Sequence, residues 1–219
     1  QERFADLLRE LEFTTLLKNL QASAKPPEDR RLAATIVIED EASALRFVSA
    51  LPQNAPLGIQ CLLGGGSGIQ AQLLGLALSD GENTVFVPFD PQAVMPSITA
   101  LLHDAQRPKV VHDLTSTLLS FQQAGLVLRG PCIDTMIADY LLNPNRRDHQ
   151  LETIALEVQG VRLQRGQTAA PQSLFEIDTG SRENAAEGAV ALASLGPAMS
   201  QRLSEQGSLT LFNEVEIPL

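Results

Sequence analysis

The sequence predicts an α/β fold with a mixed central sheet flanked by helices. Three observations carry that expectation. A β-branched apolar run near residue 35 is followed by a helical pattern. Three apolar runs then succeed one another across short turns, which is the pattern of an antiparallel meander. After residue 90 helix-like and strand-like segments alternate, the order that parallel strands require.

Residues 4–20 read as an amphipathic helix, with Phe4, Leu7, Leu8 and Leu11 at i, i+3, i+4 and i+7 and Leu16, Leu17 and Leu20 extending the stripe. Residues 23–30 read as a linker, because Pro26 and Pro27 cannot continue a helix. A strand is expected over 33–38, where Thr35-Ile-Val-Ile38 is β-branched. Glu39, Asp40 and Glu41 open a helix to about Leu51, since acidic groups suit the positive end of the helix dipole. Strands follow over 57–63 and 69–78, joined by the glycine-rich turn Gly64–Gly68, and over 84–89, entered by the Asp80-Gly81 turn.

Pro91 to His103 then reads as a helix and 109–112 as a short strand. Asp113 is placed as N-cap of a helix over 114–124, with Gly125 closing it. A strand over 127–133 leads to a helix over 135–142, capped by Asp134 and stopped at Asn143-Pro144. Another helix starts near Gln150, residues 160–175 look irregular, and a long helix runs from Arg182 past Ser204 with a kink or break at Gly196-Pro197.

The chain has 219 residues and a net charge of −10, from 26 acidic and 16 basic side chains. That balance disfavours strong independent binding to nucleic acid, which rests on Lys and Arg. Cys61 and Cys132 have no metal-like spacing and read as free thiols of a reducing compartment. No apolar run is long enough for a membrane span, no signal peptide is expected, and both ends read as cut from a longer chain. His103, His112 and His149 show no zinc-like spacing, and the Gly64–Gly68 turn lacks the Lys-Ser/Thr of a phosphate loop.

Several segments, in order, resemble the family A DNA polymerases, DNA polymerase I. They are Leu8–Lys18, Lys109-Val-Val-His-Asp-Leu114, Gly125-Leu-Val-Leu-Arg-Gly130 with Asp134-Thr-Met-Ile-Ala-Asp-Tyr-Leu-Leu142, and Leu211–Leu219. The resemblance implies the RNase H-like (DnaQ-like exonuclease) fold. It divides the chain into 1–30, from the end of a 5′-nuclease region, 31–207, a 3′–5′ exonuclease domain, and 208–219, the entry to a polymerase domain.

Active members of that family hydrolyse the terminal phosphodiester with two divalent metals held by carboxylates. Carried over position by position, their Asp-x-Glu pair falls on Cys61 and Leu63, or on Gln60 and Leu62 if the match slips by one. No Asp or Glu occurs from Leu51 to Ser79, so either match lacks acids. The second Asp falls on Thr117, and a late Tyr and Asp fall on Asn184 and Gly188. The resemblance thus implies a degenerate exonuclease domain with no catalytic residue, no metal and no cofactor of its own. Mg²⁺ is expected only in the polymerase domain of the parent chain.

The expected function is a non-catalytic structural spacer in a bacterial, cytoplasmic DNA-directed DNA polymerase of replication and repair. Its partners are the polymerase and 5′-nuclease domains in cis and DNA through the polymerase, with a monomeric parent. Two alternatives stand beside it. One is an active exonuclease with relocated carboxylates, for which Asp113, Glu183 and Glu187 lie near the matched positions. The other is a single-strand DNA-binding module using Arg129, Arg146 and Arg147.

Overall fold

The structure, a computed structural model, describes residues 35–64, 71–93, 95–164 and 177–218. The expected helix over 4–20, the linker 23–30, most of the glycine-rich turn and residues 165–175 lie outside the described residues.

Strand β1, Ile36–Val37, is followed by helix α1, Glu41–Ala50. Strands β2, Leu57–Gly64, β3, Gln72–Ser79, and β4, Thr84–Pro88, form the expected antiparallel meander. Helix α2, Pro96–His103, strand β5, Lys109–Val111, helix α3, Leu114–Gln123, strand β6, Cys132–Asp134, and helix α4, Thr135–Leu142, come next. Helix α5, Leu151–Gln159, and the long helix α6, Thr179–Glu205, are followed by a short turn of helix, α7, Leu209–Leu211, and a π-helical turn, Phe212–Glu216.

The six strands form one mixed sheet in the order β1-β4-β3-β2-β5-β6. β1 lies parallel to β4, and β5 and β6 run parallel to β2. The register of β2 against β3 shifts between Leu62 and Leu63, so the central strands carry a bulge at that point.

Local chemistry sets the element ends. Asp40 caps α1 by accepting from the Ser43 backbone N–H at 2.7 Å. Asp80 Oδ1 accepts from the Glu82 and Asn83 N–H groups at 2.9 and 2.7 Å and fixes the turn between β3 and β4. Gly81 there has φ +102°, which a glycine adopts without steric cost. Gly160 ends α5 in the left-handed conformation and bonds back to Ala155 and Leu156.

Three expectations needed correction. α2 starts at Pro96, not Pro91, because a proline fits only the first turn and Pro96 takes that place. The strand expected over 127–133 shrinks to Cys132–Asp134, since Gly130-Pro131 interrupts it and Pro131 has no N–H to give a ladder. α6 begins a turn before Arg182, on an Asp178 cap whose side chain accepts from Ser181 N at 2.6 Å. At Gly196-Pro197 the helix is not broken: it continues as one helix with Pro197 inside it.

The sheet is covered on both faces. Ile59 and the buried parts of α1, α2 and α3 form one apolar cluster, with Cys61 and Leu63 packed against it. The opposite face carries α6, whose Ala185 and Ala189 pack with Leu74, Ala77 and Phe86. The approach is close: a Cβ on Gly58 would stand 2.1 Å from the Ala189 carbonyl oxygen and 2.7 Å from the Ala193 nitrogen. A glycine is required where helix backbone meets strand backbone at that distance. Among the described residues no helix is long and apolar enough to cross a membrane.

Candidate functional site

β2 alternates its side chains between the two helical layers, and this decides where the matched positions go. Cys61 points to α3, where the hydroxyls of Ser120 and Thr117 are its hydrogen-bonding neighbours. Gln60 points the other way, to α6: a Cβ on Gly188 would stand 3.2 Å from both Gln60 Cγ and Oε1. Thr117 therefore meets Cys61, while Gly188 meets Gln60, the neighbouring residue on the opposite face. Leu63 packs into the apolar cluster around Ile59, and Asn184 lies half-buried one turn before Gly188 on α6.

The donors here are poor for a hard cation. Burial pushes the Cys61 thiol up to about 12, against the opposing pull of the Ser120 and Thr117 hydroxyls, so it is a neutral S–H at ordinary pH. The buried Thr117 hydroxyl donates to the Asp113 carbonyl oxygen at 3.0 Å. Leu63 and Gly188 offer no ligand atom. The best oxygen is Gln60 Oε1, a buried neutral acceptor without a partner among the described residues. Mg²⁺ and Mn²⁺ need several oxygen ligands, chiefly carboxylates, and this set does not fit them. Among the described residues no group of three or more His, Cys, Asp or Glu side chains could hold a metal ion.

Asp113 and Asp134 are committed to helix starts. Asp113, at φ +62°, caps α3 by accepting from Ser116 N at 3.0 Å and Ser116 Oγ at 2.5 Å. Asp134, 1% exposed, accepts from Met136 N at 2.8 Å and Ile137 N at 3.4 Å at the start of α4. It also accepts from Leu114 N at 2.7 Å and Asp113 N at 3.2 Å at the start of α3. One carboxylate therefore seats two helix N-termini, where the sequence predicts one. Glu183 is exposed and Glu187 half-buried on α6.

Sequence reasoning missed two other polar knots. Buried Asp139 on α4 takes hydrogen bonds from Asn143 Nδ2 at 2.8 Å and pairs with His149 Nδ1 at 2.7 Å and Arg146 Nη1 at 3.3 Å. Arg146 also pairs with Glu157. Its guanidinium is thus held between two acids, which leaves Arg129 and Arg147 as the exposed members of the expected basic trio. Lys109, fully buried in β5, donates to the carbonyl oxygens of Asp104 and, at 2.6 Å, Arg129, and burial lowers its ammonium from the ordinary value. The spacing Asp139–Asn143 was a usable i, i+4 signal for the first knot; a lysine inside an apolar run hinted at the second.

Residues 67–167 match the family described as DNA polymerase I, ribonuclease H-like domain. DNA polymerase I of Bacillus subtilis (strain 168) is 23% identical over 225 residues, covering all of this chain and 25% of that protein. DNA polymerase I of Mycobacterium tuberculosis (strain H37Rv) is 26% identical over 161 residues, covering 69% of this chain and 17% of that protein. The chain thus spans a quarter or less of these curated relatives. Among solved structures, Escherichia coli RNase D, described as an exoribonuclease involved in structured RNA processing, superimposes with a TM-score of 0.69 at 19% identity. That match covers 82% of this chain and 48% of RNase D, and at this identity it speaks for the fold.

Proposed function

Because residues 67–167 match the family described as DNA polymerase I, ribonuclease H-like domain, we propose that the chain is a non-hydrolytic form of the 3′–5′ exonuclease fold. It serves as a structural spacer within a DNA-directed DNA polymerase. Residues 31–207 make up the spacer, 1–30 derive from the end of a 5′-nuclease region, and 208–219 lead into the polymerase. DNA is met through the parent polymerase, which acts in the bacterial cytoplasm.

The observation that carries this reading is the donor set around β2. Two-metal hydrolysis needs ions to generate hydroxide and to stabilise the leaving oxygen. Cys61, Leu63, Thr117 and Gly188 supply one neutral thiol, one hydroxyl already engaged and two positions with no ligand. Asp113 and Asp134 cap helices, and among the described residues no group of three or more His, Cys, Asp or Glu side chains could hold a metal ion. The DNA-binding alternative loses Arg146 to Asp139 and Glu157.

The test is a titration of the 219-residue chain with Mn²⁺ by calorimetry, beside incubation with end-labelled single-stranded DNA in Mg²⁺. No saturable heat and no shortening of the strand are expected. Metal-dependent release of 3′ nucleotides that disappears in Asp113→Ala or Glu187→Ala would establish the relocated exonuclease instead.

A further inference from the structure

Helix α6 lies along β2, and three contacts fix which side chains of the strand it meets. Residues two apart on a strand face the same way, and Gly58, Gln60 and Leu62 all turn to α6. A Cβ on Gly58 would run into the Ala189 oxygen and the Ala193 nitrogen, and one on Gly188 would stand 3.2 Å from Gln60 Cγ and Oε1. Leu62 packs in the cluster that holds Ala185 and Ala189. Cys61 and Leu63 belong to the other layer. An acidic pair two residues apart that works with positions 184 and 188 of α6 therefore belongs at 60 and 62, the match shifted by one. Gln60 occupies the space that Gly188 leaves. Its Nε2 donates to the Cys61 carbonyl oxygen at 3.3 Å, while Oε1 is buried with no partner among the described residues.

We propose that Gln60 is a plug: its side chain closes the notch between β2 and α6 against Gly188, so that divalent cations are barred there by shape as well as by charge. The proposal rests on the non-hydrolytic reading above and adds to it the register of the matched positions and the residue that fills the place. A lone neutral amide oxygen does not hold Mg²⁺ or Mn²⁺, which take several oxygen ligands, chiefly carboxylates. An acceptor buried without a donor costs stability, and Gln60 Oε1 bears that cost where the strand and the helix leave room for its amide. Gly188 is the counterpart of the plug. A side chain there meets Gln60 at 3.2 Å, a contact tighter than the 3.5–4.0 Å at which carbon atoms attract. A change at position 188 alone therefore cannot open the notch while Gln60 stays in it.

Two measurements on the 219-residue chain test this. In the first, Gly188→Ala is made with Gln60 present and again beside Gln60→Ala, and urea denaturation gives the folding equilibrium of each. Glycine to alanine inside a helix ordinarily favours folding by about fivefold. That gain should be absent or reversed with Gln60 in place and should return beside Gln60→Ala; the same effect in both backgrounds overturns the plug. In the second, Mn²⁺ is titrated by calorimetry into two variants of equal charge. One carries Gln60→Asp, Leu62→Glu and Gly188→Asp; the other carries Cys61→Asp, Leu63→Glu and Gly188→Asp. Saturable binding is expected in the first variant and in neither the second nor Gly188→Asp alone. With both triple variants folded by circular dichroism, binding by the second, or by neither, overturns the proposal while the non-hydrolytic reading stands. Saturable binding by the unmodified chain would overturn that reading and the plug with it.

Discussion

Replacing Asp134 by Ala should remove a large part of the domain's stability, and the size of the loss follows from its four hydrogen bonds. The carboxylate is 1% exposed and accepts from Leu114 N at 2.7 Å and Met136 N at 2.8 Å, with longer bonds from Asp113 N and Ile137 N. Hydrogen bonds to a charged group contribute about 1.5–3 kcal/mol each, and loss of an N-cap alone costs about 1 kcal/mol. Alanine leaves the N–H groups of two helix starts without their acceptor, the Leu114 N–H in a buried place and the others in half-buried ones. The two short bonds alone give a loss of about 3–6 kcal/mol. That is a sizeable share of the ~5–15 kcal/mol that holds a typical domain together. Urea denaturation followed by circular dichroism, with the slope held common to both proteins, measures it. Asp134→Asn keeps an acceptor oxygen and should lose less. A loss below about 1 kcal/mol for the alanine variant would show that Asp134 is an ordinary single cap, and the two-helix reading would be wrong.

Other expectations follow from the same contacts. Gly58→Ala forces a Cβ to within 2.1 Å of the Ala189 carbonyl oxygen, so it should cost about 3 kcal/mol or more, or abolish soluble expression, by prying α6 from the sheet. Burial holds both Cys61 and Cys132 near 12, so Ellman's reagent at pH 8 should find little reactive thiol until denaturant is added. Because those folded values lie above the ordinary thiol value, the stability they carry is intact below about pH 9 and is lost as pH rises towards 12. Burial lowers the His112 imidazole below its ordinary value of 6.5, so the neutral ring is favoured in the fold. Its contribution is present above that value and is lost as pH falls from it through the lower value in the fold; a proton titration of the imidazole resonance by NMR checks the direction.

Much of this architecture could be read before any coordinates. The meander announced itself through three apolar runs and the Asp80-Gly81 turn, because turn chemistry and strand alternation are both local. Asp113 and Asp134 were legible as caps, and the acidic run Glu39–Glu41 as a helix start, for the same reason. The false strand over 127–133 came from weighing Val127 and Leu128 above the Gly130-Pro131 pair that follows them. The first turn of α6 was overlooked although Asp178 and Ser181 carried the ordinary capping signal. What no local rule could give was the second duty of Asp134, which depends on a helix start twenty residues earlier. The split of Thr117 and Gly188 onto opposite sides of β2 was equally hidden, because it depends on which helix covers which face. The Asp139 knot brings together side chains ten residues apart around a loop, and only the folded chain shows that Arg146 is already taken.

The backbone contact between Gly58 and α6 has a mechanical consequence. With the Ala189 oxygen seated where a side chain would otherwise be, and Gly196 similarly pressed on Val110, the longest helix is keyed to two adjacent strands. Advancing α6 by one residue would bring Pro197, which carries a Cβ, to the place where Gly196 meets Val110, and a Cβ there stands only 2.5 Å from Val110 Cγ2. The helix is thereby held in register against β2 and β5.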